Sequence, residues 1–290
     1  MVDRTGSNNQ TAGGGAIWVR GHNKGNPITR IVRCVFNGNI AKGNSGADGG
    51  ALFSYEAPIH VINSLFYDNI SQANVGSSNS NPSFGGAIQI EGPASYNGSD
   101  WEASEARVIN CTIVNNSALS DNSNSHISSG GLYFSSWGNR KETFYMFNNI
   151  FWGNIVGNSG STDPSNQLEI AGQNDMTWNN DYNTIQDIST FGSDAGDHSN
   201  DYDPQFTNAS GNDFSLLDAS HLIGAGTASY EEISVPSTDL AGNSRPNPSG
   251  SSPDIGAYEN ALSASPYPAP VQNLAGSPGG SSANLTWDAN

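Results

Sequence analysis

Side chains able to act as acids, bases or ligands are sparse in this chain and rarely adjacent. The five histidines, at 22, 60, 126, 198 and 221, share no metal-ligand spacing, and each reads as a loop or surface residue. The three lysines are Lys24, Lys42 and Lys141, and the one compact charged cluster is Arg140-Lys141-Glu142. Eliminating cleavage of an acidic glycan would need such a cation, both as base and to neutralise a uronate carboxylate. Hydrolytic cleavage would need clustered carboxylates. The sequence has no Asp-Asp pair, and its only adjacent acids are Glu231-Glu232. No Ser-His-Asp arrangement or phosphate-cradling loop is legible. No catalytic residue is assigned, and the Arg140–Glu142 cluster reads as a solvated loop. Asp201, Asp203 and Asp213 carry the oxygen donors that Ca²⁺ takes, although Asp-x-Asp-Pro is also an ordinary turn.

Such side chains can be placed only by the elements that carry them, and those elements repeat. Gly14-Gly15-Ala16-Ile17, Gly49-Gly50-Ala51-Leu52, Gly85-Gly86-Ala87-Ile88 and Gly130-Gly131-Leu132-Tyr133 follow one another at spacings of 35, 36 and 45 residues. A degenerate fifth copy is Asn166-Gln167-Leu168-Glu169-Ile170. Between these copies runs a second string: Val32–Asn39, Ile62–Asn69, Ile109–Asn116 and Phe147–Asn154. Apolar residues alternate within both strings, which is the period of a strand and not of a helix. Each repeat therefore holds two strands, with a third expected, and a Gly/Asn/Ser loop. A unit this small buries its apolar face only by stacking on its neighbours.

The expected architecture is all-β: a right-handed parallel β-helix, or solenoid, with about 4.8 Å between rungs. Equivalent residues then form columns. Val32, Ile62, Ile109 and Phe147 are expected to point inward, as are Phe36, Phe66, Ile113 and Phe151. Asn39, Asn69, Asn116 and Asn154 form a structural ladder of stacked amides at a turn. Cys34 and Cys111 share a column with Ser64 between them, two rungs or roughly 9.5 Å apart, too far for a disulfide. Along the Gly-Gly strands, Trp18, Phe53, Gln89 and Phe134 fall on the outer face in one column, with Tyr55 beside them. Rings in a row stack on sugars or bind a protein surface. Alternatively, the loops fold over that column as a second small core.

The paired signals Gly-Gly-Ala-Ile and Phe-x-x-Asn, as in Gly14–Ile17 with Phe36–Asn39, resemble the repeats of polymorphic outer-membrane proteins and related bacterial surface β-helix proteins. That resemblance covers residues 13–156. Further on, Asp201–Phe206, Asn212–Leu216, Leu222–Gly226, Thr238–Pro246 and Asp254–Glu259 resemble the closing segment of choice-of-anchor Q proteins, which are secreted bacterial β-helix proteins. The resemblance implies that residues 1–200 are solenoid repeats and that 201–260 close them. Residues 261–270 read as a linker. Residues 271–290 resemble the first two strands of a fibronectin type III domain, too few for a sandwich, so the chain is expected to be a fragment of a longer secreted protein. An open solenoid end and an unpaired tail make self-assembly by strand addition plausible.

Composition narrows the partners. With 10 basic and 27 acidic residues among 290, a net charge of −17 argues against nucleic acid. No run of about 20 apolar residues exists to span a membrane. The 37 Asn and 34 Gly suit a chain of short strands and tight turns. Three functions stay open. The favoured one is a non-catalytic extracellular or cell-surface module, adhesin-like or a structural stalk. The second is a lyase or hydrolase on acidic glycans, because right-handed β-helices include pectin and alginate lyases and polygalacturonases; Ca²⁺ would have to bridge a polyanion to so acidic a chain. The third is a glycan-binding module using the aromatic column.

Overall fold

Among the described residues each of the first four repeats contributes five short parallel strands, more than the two or three legible in the sequence, and each strand pairs with its equivalent in the next repeat where one is present. The computed structural model describes the chain apart from residues 5–10, 22–26, 74–81, 93–94, 97–100, 103, 122–126, 137–141, 159–160, 164–165, 172–175, 191–194, 269–271, 280–281 and 289–290. In chain order, the first sheet stacks Thr11–Gly13, Gly46–Asp48, Ser83–Phe84 and Ile127–Ser128. The second stacks Ile17–Arg20, Leu52–Tyr55, Ile88–Glu91, Leu132–Ser135 and Leu168–Ala171. The third stacks Thr29–Val32, Ile59–Ile62, Glu105–Ile109, Thr143–Phe147 and Thr177–Asp181. The fourth runs from Val35–Asn37 through Leu65–Tyr67, Thr112–Val114 and Ile150–Trp152 to Thr184–Ile185. The fifth begins at Val2–Arg4 and continues through Ile40–Gly43, Ile70–Ala73 and Ser117–Ser120 to Ile155–Asn158, then adds the antiparallel Ser161–Asp163. The chain is thus all-β and mostly parallel.

The core lies between these sheets. Leu52, Ile88 and Leu132 of the second sheet, Val61, Val108 and Met146 of the third, and Phe36, Phe66, Ile113 and Phe151 of the fourth meet in one buried cluster. Flat ring stacking ties successive repeats, as in Phe36 on Phe66 at 4.5 Å and 7°. Where the first and fifth sheets converge the interior is small: Ala12, Ala41, Ala47 and Ala118 are buried, and the hydroxyls of Ser71 and Ser83 meet at 2.7 Å.

The column Val32, Ile62, Ile109, Phe147 does not point inward. Val32 is 42% exposed, and the core residues are those one position earlier, Ile31, Val61, Val108 and Met146. The cause is the turn between the third and fourth sheets. Arg33, Asn63, Asn110 and Asn148 all stand at φ of 48–56°. A left-handed residue reverses the phase of the alternation, so counting back by twos from Phe36 fails at that point. Cys34, on the core side of the turn, packs against the core but is only half-buried, whereas Cys111 lies within it; both are free thiols. Burial pushes the Cys111 thiol up to about 12.

Amides connect the repeats along the axis. Asn39 Nδ2 donates to Asn69 Oδ1 at 2.8 Å, Asn69 to Asn116 at 2.8 Å and Asn116 to Asn154 at 2.9 Å. The last step, from Asn154, uses Gln167 Oε1 at 2.8 Å, a side chain from the degenerate Gly-Gly copy. Each amide also receives the preceding Asn backbone N–H, at 3.0 Å for Asn69 to Asn116. A second, shorter ladder runs inside the column of Cys34: Cys111 N–H donates to Asn149 Oδ1 at 2.9 Å, and Asn149 Nδ2 to Asn183 Oδ1 at 2.9 Å.

Beyond the repeats, Asn200 bridges to Thr184 in the last strand of the fourth sheet. The segment that follows runs along the flank of the stack. Phe214, Leu216, Leu222, Ile223 and Ile255 cover Leu65, Val114 and Ile150, the outward residues of the fourth sheet. The left-handed turn residues hold this strap: Asn148 Nδ2 donates to Thr227 O at 2.8 Å, Asn63 Nδ2 to Thr238 O and Arg33 Nε to Leu240 O at 3.4 Å. The charged residues of the closing motif fix the strap's own backbone. Glu259 accepts from Asp254 N–H and Asn247 N–H, and pairs with Arg245 at 3.2 Å with both side chains fully buried. Asp254 accepts from Gly224 N–H and Asn260 N–H. The expected linker is partly docked, since Leu262 packs on this cluster and Ser265 Oγ donates to Ala219 O at 3.1 Å. Gln272–Gly279 and Ser282–Asp288 form an antiparallel hairpin.

Candidate functional site

The Gly-Gly turn joins the first sheet to the second, and its two positions answer different demands. Gly14, Gly49 and Gly85 stand at φ of 56–59°, where a side chain is strained. The glycine after each is pressed on the fifth sheet: a Cβ at Gly50 would overlap the Gly86 carbonyl and lie 2.7 Å from the Ile70 nitrogen. In the fourth repeat Ser129 takes the left-handed position at 60°, and Gly130 is the glycine in close contact. The sequence alignment of that copy is therefore shifted by one. Tyr133, not Phe134, pairs with Gln89, while Phe134 is fully buried in the core against Phe144.

Through this turn the outward residues of the two sheets face each other across a re-entrant corner. Each residue that ends a first-sheet strand meets the second-sheet residue one rung on. The Phe53 ring covers Gly13, where an added Cβ would lie 2.5 Å away. The Asp48 carboxyl hydrogen-bonds Gln89. Phe84 stacks on Tyr133 at 4.5 Å and 17°. Ser128 donates to Glu169. This lateral pairing covers most of the aromatic column: Phe53 is 6% exposed and Tyr133 7%. Trp18 heads the column and is 49% exposed, its ring stacked on Phe53 at 6.0 Å and 20°.

A hollow of about 350 Å³ opens beside Trp18, lined by Thr11, Gly13, Trp18, Arg20, Asp48, Phe53, Tyr55 and Glu91. Tyr55 sits 6.0 Å from Phe53, with the Arg20 guanidinium 5.7 Å over its own ring. On the acidic side, Gln89 Nε2 donates to Glu91 Oε2 at 3.2 Å. Gln89 is 1% exposed, and its Oε1 has no partner. Burial first, and the neighbouring Glu91 second, push Asp48 up to about 7. Among the described residues, the hollow thus offers an apolar platform, the Arg20 guanidinium, and the Asp48 and Glu91 carboxyl groups. Trp18, Phe53 and Tyr55 were legible in the sequence. Asp48, Glu91, Arg20 and Gly13 were not, although the residue before each Gly-Gly turn marks the facing wall.

Other candidates lie elsewhere. Asp201, Asp203 and Asp213 do not converge: Asp203 caps the Gln205 N–H at 2.9 Å and Asp213 the Ser215 N–H at 3.1 Å. Among the described residues no group of three or more His, Cys, Asp or Glu is placed to hold a metal ion. His60 is buried, not on the surface; it bonds Glu105 at 2.8 Å, which Arg107 also meets at 2.7 Å. His198 bonds Asp181 at 2.7 Å and stacks on Tyr182 at 4.5 Å. His22, Lys24, His126 and the Arg140-Lys141 pair lie outside the described residues. Among the described residues, no helix is long and apolar enough to cross a membrane. No family model, curated protein or solved structure matches the chain.

Proposed function

We propose that the chain is a right-handed β-solenoid displayed outside the cell, an adhesin-like surface module whose corner hollow binds a glycan. The in-register pairing of equivalent strands through five parallel sheets supports a solenoid, and parallel crossovers favour the right hand. The Gly-Gly and Phe-x-x-Asn repeats and the closing motif support a bacterial surface or secreted origin. One observation carries the binding reading: Trp18, half exposed, is held flat on Phe53 at the mouth of a hollow with polar walls. A ring fixed from behind offers its outer face to a sugar at little entropic cost. Titration against a panel of neutral, amine-bearing and uronate oligosaccharides tests this. Trp18→Ala should weaken binding at least tenfold while leaving the melting temperature unchanged. A folded wild-type protein that binds none of the panel sinks the reading.

A hydrolase reading has one observation in its favour: burial and the neighbouring Glu91 push the Asp48 carboxyl up to about 7, the direction a general acid beside a second carboxylate needs. New reducing ends that vanish in Asp48→Asn would promote it over simple binding.

A further inference from the structure

We propose that the sugar held on Trp18 is an acidic one, its sulfate or carboxylate seated on the Arg20 guanidinium. This inference rests on the glycan-binding reading and names the ligand class. The net charge of −17 hides a segregation along the chain. Residues 1–42 carry six of the ten basic residues and one of the 27 acidic ones, a net +5, while the remaining 248 carry a net −22. Further along, Arg107 meets Glu105 at 2.7 Å and Arg245 meets Glu259 at 3.2 Å. Among the described residues, Arg20, Arg30, Arg33 and Lys42 have no carboxylate partner, so the first rung holds positive charge that an anion can use. Trp18 and Arg20 both point outward from the strand Ile17–Arg20 and are exposed. Two such residues on one strand face stand roughly 6.6 Å apart, within the span of a stacked pyranose and its substituent. The Arg20 guanidinium lies 5.7 Å over the Tyr55 ring, a contact that uses none of its N–H donors and leaves them for an anion. The acids of the hollow stand off. Arg20, Tyr55 and Glu91 occupy successive rungs of one column, which puts Glu91 roughly 9.6 Å along the axis, with Tyr55 on the rung between. Asp48 hydrogen-bonds Gln89 on the facing wall. An acidic sugar therefore needs no Ca²⁺ bridge at this rung.

The chain itself is the sample, and the probes are glucan oligomers, the same oligomers sulfated, and the same oligomers oxidised to uronates, at neutral pH and low salt with chelator present. Binding is followed by calorimetry and by tryptophan fluorescence. An acidic form should bind roughly three- to tenfold more tightly than the neutral one, the worth of a charge-assisted contact at an exposed site. The larger gain of the two names the substituent. Raising the salt should shrink the gain. Arg20→Gln should erase it while keeping the binding of neutral oligomers, and Arg20→Lys should retain part of it. Lys42→Gln removes the same charge on the fifth sheet and should change the gain less than twofold; an equal loss in Lys42→Gln and Arg20→Gln overturns the inference by reducing it to net charge. Melting curves establish that the variants are folded; if Arg20→Gln is not, the Arg20→Lys and Lys42→Gln comparison decides. Equal affinity for neutral and acidic oligomers overturns this inference and leaves the glycan-binding reading standing. Failure to bind any sugar overturns both. A single-stranded DNA oligonucleotide of matched charge that binds as tightly as the acidic sugars also overturns it, by showing an attraction common to polyanions.

Discussion

Asn116 shows why an amide and not a hydroxyl recurs at the turn. Its Nδ2 donates to Phe66 O of one neighbouring rung and to Asn154 Oδ1 of the other, while its Oδ1 accepts both the backbone and side-chain N–H of Asn69. No shorter polar side chain spans both directions. Asn116→Ala should cost about 1–3 kcal/mol, because buried partners are left unpaired. Asn208→Ala should cost far less, since that side chain caps an exposed turn at Gly211. Urea midpoints compare the two, and equal losses would mean that the ladder carries no weight. Asp48 makes a second prediction. Its folded-state pKa is raised from 3.8 to about 7, so the stability it contributes is complete below 3.8 and is lost as pH rises to about 7. Between those limits stability should fall by up to about 1.4 kcal/mol per pH unit. Glu91, Gln89, Arg20, Tyr133 and Glu169 face this corner and stay in place in Asp48→Asn, which should flatten the slope. Parallel profiles for the two proteins from pH 5 to 8 would contradict it. The Asn ladder was legible because identical residues recur at one offset from an apolar string. Asp48 was not, because its equivalents are Gly13, Phe84 and Ser128, and no periodicity marks a position whose partner lies one rung away.

Strands of two to five residues are too short for alternation to be counted across a corner, and this limited what the sequence disclosed at the level of elements. The parallel stacking and the Phe36–Phe151 column were legible; the phase on the far side of each left-handed residue was not, which misassigned Val32 and Phe134. The Gly-Gly turn illustrates the physics. Gly50→Ala should be severe, on the order of 3 kcal/mol or more, because its Cβ meets backbone on two sides and nothing flexible can yield. Gly38→Ala faces open space and should cost only the left-handed strain at φ 63°, about 1–2 kcal/mol. Thermal melts of the pair check this order, and the reverse order would remove close approach as the reason for the second glycine.

At the scale of the molecule, the closing segment binds the flank of the repeats, so the boundary that matters lies after it. Leu262 and Ser265 still touch the strap, whereas the hairpin from Gln272 onward pairs within itself. Removing 269–290 should leave the melting temperature within about 1 °C, less than a 1 kcal/mol loss would cause. Removing 261–290 should lower it. A drop in the shorter deletion, measured by calorimetry, would show that the hairpin packs on the repeats.

The strap also changes how the stack answers force. Repeats joined only to their neighbours would peel in sequence, giving a sawtooth of small ruptures. Here one segment is fastened at Arg33, Asn63 and Asn148, so load applied along the axis is shared by several rungs at once. Pulled end to end, the molecule should hold as a single tensile unit and fail in one tall event, with the lesser ruptures following only after the fastening at Asn148 gives way.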